Sequence, residues 1–412
     1  MTEDQSTWYL SLNVLVVLAG ALVSSPCSEW LGRKRSLMVM HVLQIVSCII
    51  MFFGHTYPIV LAGWLFNGFS AGFGVMLPYT LTSEISTIKL RGVLGNLNNL
   101  CQSYGNLLVY GINMIIPPQY LVFTGITLSL LFLVLSPLIA YSPHWLVRKG
   151  KRNEAENMLR VLRGAEYSGI NQEIKEVLSV TDINVNNKSC MARWKSRQFL
   201  IPLGILLIMF GSIGLCGRSA PITHYGPSMF ADFGFTISYQ IILLFIPIGT
   251  AVGYTASVFI AKKLKIKMQF TMSACIMIVA AGLISLAYYL KENSREEEHR
   301  KLSSQLFFSF GVFALTLGYG AGYGSITYTA IGELLSPEDK SLGSAIVVST
   351  RMIVTTAALK VYPYVLGVIG YPILFLGHAT VILLTTIFVF KFLPDTDDKS
   401  MSQIQALYKK KQ

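Results

Sequence analysis

Two stretches carry the reading: Glu84-Ile85-Ser86-Thr87-Ile88-Lys89-Leu90-Arg91-Gly92 and Glu333-Leu334-Leu335-Ser336-Pro337-Glu338-Asp339-Lys340. In each, a carboxylate stands seven residues before a cation, and each follows a long apolar run rich in glycine. An acid and a base at the same end of membrane helices make a contact that can close and open. One such device in each half of the chain predicts two related helical bundles that rock against each other, the architecture of a secondary transporter.

The composition points the same way. Of 412 residues, 53% are hydrophobic and 13% charged, and the mean hydropathy is +0.55. A soluble domain carries about 25% charged residues. A spanning helix takes roughly 20 mainly apolar residues. Such runs fall at 8–28, 36–54, 58–80, 93–116 and 120–140, then at 199–217, 237–260, 268–290, 303–326, 341–365 and 369–392. The predicted fold class is therefore all-α, a polytopic membrane protein with eleven transmembrane helices. Its expected parts are an N-terminal half of five helices (1–140), a linker (141–198), a C-terminal half of six helices (199–392) and a tail (393–412).

The net charge of +12 follows membrane sidedness rather than nucleic-acid binding, because Lys and Arg gather in cytoplasmic loops. Arg148, Lys149, Lys151, Arg152, Arg160 and Arg163 crowd the linker, and Lys262, Lys263, Lys265 and Lys267 follow the seventh run. This alternation predicts an outside N-terminus and a cytoplasmic C-terminus, in an integral protein of the plasma membrane. The first apolar run has no basic lead-in and reads as a retained span rather than a leader. Lys409-Lys410-Lys411-Gln412 reads as a polybasic surface tail, although its lysines also stand where an endoplasmic-reticulum retrieval signal has them. The six cysteines show no zinc spacing and read as packing residues. No cofactor or metal is expected, and no nucleophile–base arrangement suggests an enzyme. The expected partners are a small-molecule solute and the lipid bilayer, with the oligomeric state left open.

Within the linker, 153–163 places Ala155, Met158, Leu159 and Leu162 on one helical face, and 171–178 does the same with Ile174, Val177 and Leu178. Both predict short amphipathic helices bracing the halves. The glycines at 318, 320, 322 and 324 predict a break or kink there.

Polar residues inside spans are the candidate site. Asn96, Asn98, Asn99 and Gln102 share a helix, and Asn99 and Gln102, three apart, share a face. Amides suit a solute with many hydroxyls; helix-to-helix hydrogen bonding is the other reading. Arg351 lies mid-span, Arg218 lies near the outer end of another span, and no mid-span Asp or Glu is available to pair with either. A cation at the bilayer centre costs at least ~2.5 kcal/mol. Either the solute is an anion, or Arg218 snorkels outward and Arg351 bonds backbone carbonyls. The lack of a mid-membrane acid points to gradient-driven movement rather than proton coupling. His224, beside Tyr225, reads as a packed histidine or an outer-gate residue.

Several local patterns occur in order: Gly32-Arg33-Lys34, Glu84 through Arg91-Gly92, Ser142-Pro143-His144-Trp145-Leu146, Leu162-Arg163-Gly164 and Pro394-Asp395-Thr396. Together they resemble the sugar porter family of the major facilitator superfamily, and most nearly the insect-type facilitated trehalose transporters. The resemblance covers nearly the whole chain. It implies facilitated alternating access of a hexose or trehalose at a midplane cavity, with an organic anion held by Arg351, or a non-transporting sensor or degenerate paralogue, as alternatives. It also implies that the helix preceding Gly32-Arg33-Lys34 is the family's second, so that the family's first is lacking.

Carried over by position, the substrate residues implied are Asn99, Gln102, Tyr225, Thr250, Tyr328 and Arg351, and the gating residues are Arg33, Glu84, Arg91, Glu333 and Lys340. Glu29 stands for the usual Asp of the first latch, and Tyr141 for its Glu. The seventh-helix amides of the family are replaced by Gly214-Leu215-Cys216-Gly217-Arg218-Ser219-Ala220, and the tenth-helix prolines by Gly324-Ser325-Ile326-Thr327-Tyr328. The scaffold is kept more closely than the sugar site.

Overall fold

The computed structural model describes residues 3–87, 90–164, 169–170, 173–174, 196–235, 239–261, 263–293, 298–335, 340–394 and 408. Among them, all regular structure is helical. The N-terminal half comprises α1 (Glu3–Leu31), α2 (Arg33–Phe52), α3 (Tyr57–Gly74), its continuation α4 (Leu77–Ile85), α5 (Arg91–Asn113) and α6 (Leu121–Leu135). The linker forms α7 (Pro143–Arg148) and α8 (Arg152–Arg163). The C-terminal half comprises α9 (Arg197–Leu215), α10 (Gly226–Asp232), α11 (Tyr239–Ile260), α12 (Ile266–Glu292), α13 (Glu298–Gly318), α14 (Gly324–Leu334) and α15 (Lys340–Phe392).

Among the described residues, eight helical stretches are long and apolar enough to cross a membrane, the last being Leu342–Phe392 with 51 residues. A straight helix of that length would reach about 75 Å, more than twice the ~30 Å hydrocarbon core. It reverses instead at Gly370, whose φ of 71° and ψ of 168° are not helical. Leu359, Tyr362 and Leu374 consequently meet in one cluster, where a rod would hold Leu359 and Leu374 about 20 Å apart. Counting this stretch twice and adding α5 and α11 gives the eleven passes expected. α5 is less apolar than the other passes because it carries Asn96, Asn98, Asn99 and Gln102, whereas α11 is apolar through most of its length.

The halves repeat their internal packing. α3 lies between α1 and α2, as α13 lies between α11 and α12, and the halves meet along α5 with α11 and along α1 with α15. Small residues allow these crossings. A Cβ on Gly72 would sit 1.9 Å from the Val17 carbonyl oxygen, and one on Gly320 would sit 2.6 Å from that of Thr250.

The predicted break occurs as a π-helical turn at Tyr319–Tyr323, between α13 and α14. Carbonyls freed at such a turn must be bonded inside the bilayer. Gln269 Nε2 donates to the Ala321 carbonyl at 2.7 Å and to Ser257 Oγ at 2.8 Å, and Ser257 Oγ shares a 2.9 Å bond with Ser325 Oγ. Gln269→Leu is expected to leave that carbonyl buried and unbonded, at a cost of ~1–3 kcal/mol. Thermal unfolding of the purified protein measures this, and an unshifted melting temperature would count against the capping role.

In the linker, α8 buries Ala155 and Leu159 as its pattern predicts. Leu159 clusters with Ile170 and Ile174; the rest of the second amphipathic stretch, including Val177 and Leu178, lies outside the described residues.

Candidate solute cavity and charged latches

The first latch is centred on Arg33, which is 3% exposed. Its Nη2 donates to Glu84 Oε1 and to Glu29 Oε1, both at 2.9 Å, and its Nη1 donates to the Ser28 carbonyl at 3.1 Å. Arg148 Nη1 reaches Glu29 from the linker at 3.2 Å, and the Trp145 indole N–H donates to the Glu29 carbonyl at 3.0 Å. Arg163 Nη1 donates to the Ile85 carbonyl at 2.8 Å. One end of the N-terminal half is thus tied to α7 through a charged cluster and to α8 through Arg163. Lys34 adds a contact that uses no acid: its Nζ stands 4.5 Å from the Tyr141 ring centroid and donates to the Pro137 carbonyl at 3.3 Å.

The second latch crosses between halves. Lys340, 7% exposed, donates from Nζ to Ser83 Oγ at 3.1 Å. Lys340, Glu333, Ser83, Tyr79 and Tyr328 line one cleft between the halves.

Above that cleft, the two halves touch through tyrosines. Tyr79 and Tyr328 stack with ring centroids 5.3 Å apart and planes 14° from parallel, and Phe210 meets Tyr328 edge-on at 5.1 Å. Tyr79 Oη donates to Asn99 Oδ1 at 2.6 Å. Asn99 is 0% exposed, and its Nδ2 is buried without a hydrogen-bond partner.

Two arginines stand at the same level. Arg351 Nη1 donates to the Tyr328 hydroxyl, and Tyr319, Tyr254 and Tyr79 are near enough to interact with the Arg351 charge. Arg218 opens a π-helical segment, Arg218–His224, and lays its guanidinium 4.2 Å from the Tyr319 ring centroid. The Nε of each arginine is buried without a hydrogen-bond partner. Among the described residues, neither forms an ion pair with a carboxylate.

Residues 1–408 match the sugar (and other) transporter family. The chain belongs to that family. It is 25% identical to the facilitated trehalose transporter Tret1 of Culex quinquefasciatus, over 98% of this chain and 78% of the relative. It is 26% identical to the sugar transporter ERD6-like 6 of Arabidopsis thaliana, over 99% of this chain and 83% of the relative. Among solved structures, the proton:xylose symporter XylE bound to 6-bromo-6-deoxy-D-glucose superposes with a TM-score of 0.84 at 18% identity, covering 99% of this chain and 91% of XylE. The fold is that of the major facilitator superfamily.

Against the positions that family membership suggested, the structure brings Asn99, Tyr328 and Arg351 together and sets three others apart. Gln102 is exposed, because three residues fall about 60° short of a full helical turn and rotate it off the buried face that Asn99 occupies. Thr250 is buried, but its hydroxyl donates to the Ile246 carbonyl of its own helix at 2.9 Å. Tyr225 stacks on Tyr362 at 4.6 Å and donates to the Leu359 carbonyl at 3.3 Å. Asn98 takes the helix-to-helix role, donating to Thr82 Oγ1 at 3.2 Å. Of the gating set, Arg33, Glu84, Glu333 and Lys340 stand at the latches; the side chain of Arg91 lies outside the described residues.

Arg351 bonds a tyrosine hydroxyl rather than backbone carbonyls, and Arg218 is half-buried, with its Nε covered and its guanidinium against the Tyr319 ring. Sequence reasoning missed Tyr79, Tyr254 and Tyr319. A signal for the first was present, since Tyr79-Thr80 precedes Glu84 by the same offset as Tyr328-Thr329 precedes Glu333.

Proposed function

We propose that the protein carries a sugar across a membrane by facilitated alternating access, and that the cavity around Asn99 and the Tyr79–Tyr328 stack is the site. One observation carries this reading. Asn99 has its carbonyl oxygen satisfied by Tyr79 and its amide nitrogen left bare at a fully buried position between the halves. Buried donors are nearly always bonded, so this one is kept for a solute hydroxyl. The tyrosine faces beside it supply the flat apolar surface that a pyranose ring stacks against. Gln102, Thr250 and Tyr225 serve as outlying or packing residues of this cavity.

Arg33, Glu84, Arg91, Glu333 and Lys340 act as gating contacts at the cytoplasmic end, where the positive loops gather. When the Lys340–Ser83 bond and the tyrosine stack part, the cleft beneath them becomes the exit path. The C-terminus is cytoplasmic and the membrane is the plasma membrane. The carboxylate that lines the cleft, Glu333, stands with Lys340 at the gate rather than beside Asn99, which favours uniport, and the role is transport without catalysis.

Purified protein in liposomes is expected to take up labelled glucose or trehalose above empty vesicles. Asn99→Ala is expected to slow that uptake about tenfold, the worth of one hydrogen bond of ~1.4 kcal/mol. Uptake no faster than in empty vesicles would overturn the proposal.

A further inference from the structure

A neutral sugar would leave the charges of Arg218 and Arg351 unbalanced, yet both guanidinium groups are set among the tyrosines at the level of the proposed sugar site. We propose that the solute is an acidic sugar whose carboxylate or phosphate lies between Arg218 and Arg351 while its hydroxyls meet Asn99 and the surrounding tyrosines. This inference rests on the proposed transport of a sugar and narrows it to a chemical class.

Several observations converge on it. Each arginine keeps a buried Nε–H with no acceptor. Each lies against a tyrosine ring, with Arg218 at 4.2 Å from Tyr319 and Arg351 at 5.7 Å from Tyr328. Ring contact eases the burial of a cation and leaves its charge in place. Both charges are near enough to act on Tyr328 and on the buried Cys216, so the two arginines are neighbours. Like charges in a medium of low dielectric repel, and no described carboxylate separates these two. The partner that Arg351 has, the Tyr328 hydroxyl, is a neutral acceptor that an anion would outcompete.

The planar fork of a guanidinium matches the oxygens of a carboxylate or phosphate, and charge-assisted bonds of this kind are about twice as strong as neutral ones. The Asn99 Nδ2 group, and the Tyr328 hydroxyl once it accepts from Arg351, are donors suited to a polyol. A solute carrying an acid at one end and hydroxyls along the rest satisfies the arginines and these donors at once.

The test uses the full chain in detergent, titrated with glucose, glucuronate, its neutral amide glucuronamide, glucose 6-phosphate and acetate at one ionic strength, with binding read as thermal stabilisation. Glucuronate or glucose 6-phosphate is expected to bind about tenfold or more tightly than glucose, and the better of the two assigns the acid group. Glucuronamide has the shape of glucuronate without its charge and is expected to bind about tenfold more weakly. That comparison is made on the unaltered protein and does not depend on a variant folding. Acetate is expected to bind far more weakly than glucuronate, and R351Q and R218Q are each expected to lose about tenfold in acid binding. Glucose binding as tightly as both acids, or an absence of acid binding while glucose is still taken up by liposomes, overturns the acidic-sugar assignment and leaves sugar transport standing. Acetate binding as tightly as glucuronate overturns it too, by showing that the hydroxyls are not read. No binding of any probe, together with no liposome uptake of glucose or trehalose, removes both readings.

Discussion

Glu84→Ala is expected to destabilise the protein far more than Glu29→Ala, although both carboxylates bond the same guanidinium. The Arg33 side chain is 2% exposed, Glu84 10% and Glu29 38%. Removing one partner of a buried ion pair leaves the other charge desolvated, at a cost of about 3–5 kcal/mol. Removing a half-open partner typically costs about 1 kcal/mol or less, because water screens what remains. With Glu84 gone, Arg33 would keep Glu29 and the Ser28 carbonyl, neither of which reaches across to α4. The N-terminal half would lose the tie between its second and third passes at the end where the gate stands. Melting curves of the two purified variants, run beside the parent, measure the difference. Equal shifts, or a larger one for Glu29→Ala, would show that the pair is held mainly by solvent-exposed electrostatics. Liposome uptake adds a second readout, since loosening this end should slow the return of the empty carrier.

Gly72→Val is the other large effect expected, and it acts through packing alone. The Cβ would lie 1.9 Å from the Val17 carbonyl oxygen and 2.7 Å from its carbonyl carbon. These are backbone atoms of α1 and cannot swing aside as a side-chain tip would. The helices must separate along their length, which unpacks the crossing on which the half is built. Overpacked interiors lose ~1–3 kcal/mol even where side chains can adjust, and here they cannot. The folded fraction recovered from detergent as a single size-exclusion peak is expected to collapse. Gly320→Val should do the same in the C-terminal half. Gly105→Val is the control, because nothing lies within 4 Å of the position its Cβ would take. A normal peak for Gly72→Val would mean that the α1–α3 crossing is looser than its geometry implies.

The spans were legible because each is a long apolar run, and a membrane leaves little choice about what such a run does. The break before α14 was legible from four glycines in seven residues. The matching π turn at Arg218–His224 was not, since one flanking glycine and one internal proline signal a local break without saying what form it takes. Asn99 could be singled out as a buried amide in an apolar run. Its distinction from Gln102 depended on which arc of α5 faces the other half, and periodicity within one helix does not contain that. Arg148 joining the first latch from the linker, and Ser83 receiving Lys340 from the other half, are contacts across 119 and 257 residues. Charge alternation indicated which end such residues share, but not which partner each would find. The tyrosine pair lay within reach. The repeat of Tyr-Thr ahead of each latch glutamate is internal symmetry, and symmetry about a two-fold axis brings equivalent positions face to face on that axis.

The reversal at Gly370 has a practical side. One residue of left-handed backbone does the work of a loop, so the last two crossings share a corner with no slack in it. A protease has no extended strand to grip there, and an antibody has almost no epitope. An inserted tag would pry the hairpin apart rather than ride on it. The corner also forbids one of these crossings from sliding along the other, so the pair must tilt as a rigid wedge whenever the halves exchange the side they open to.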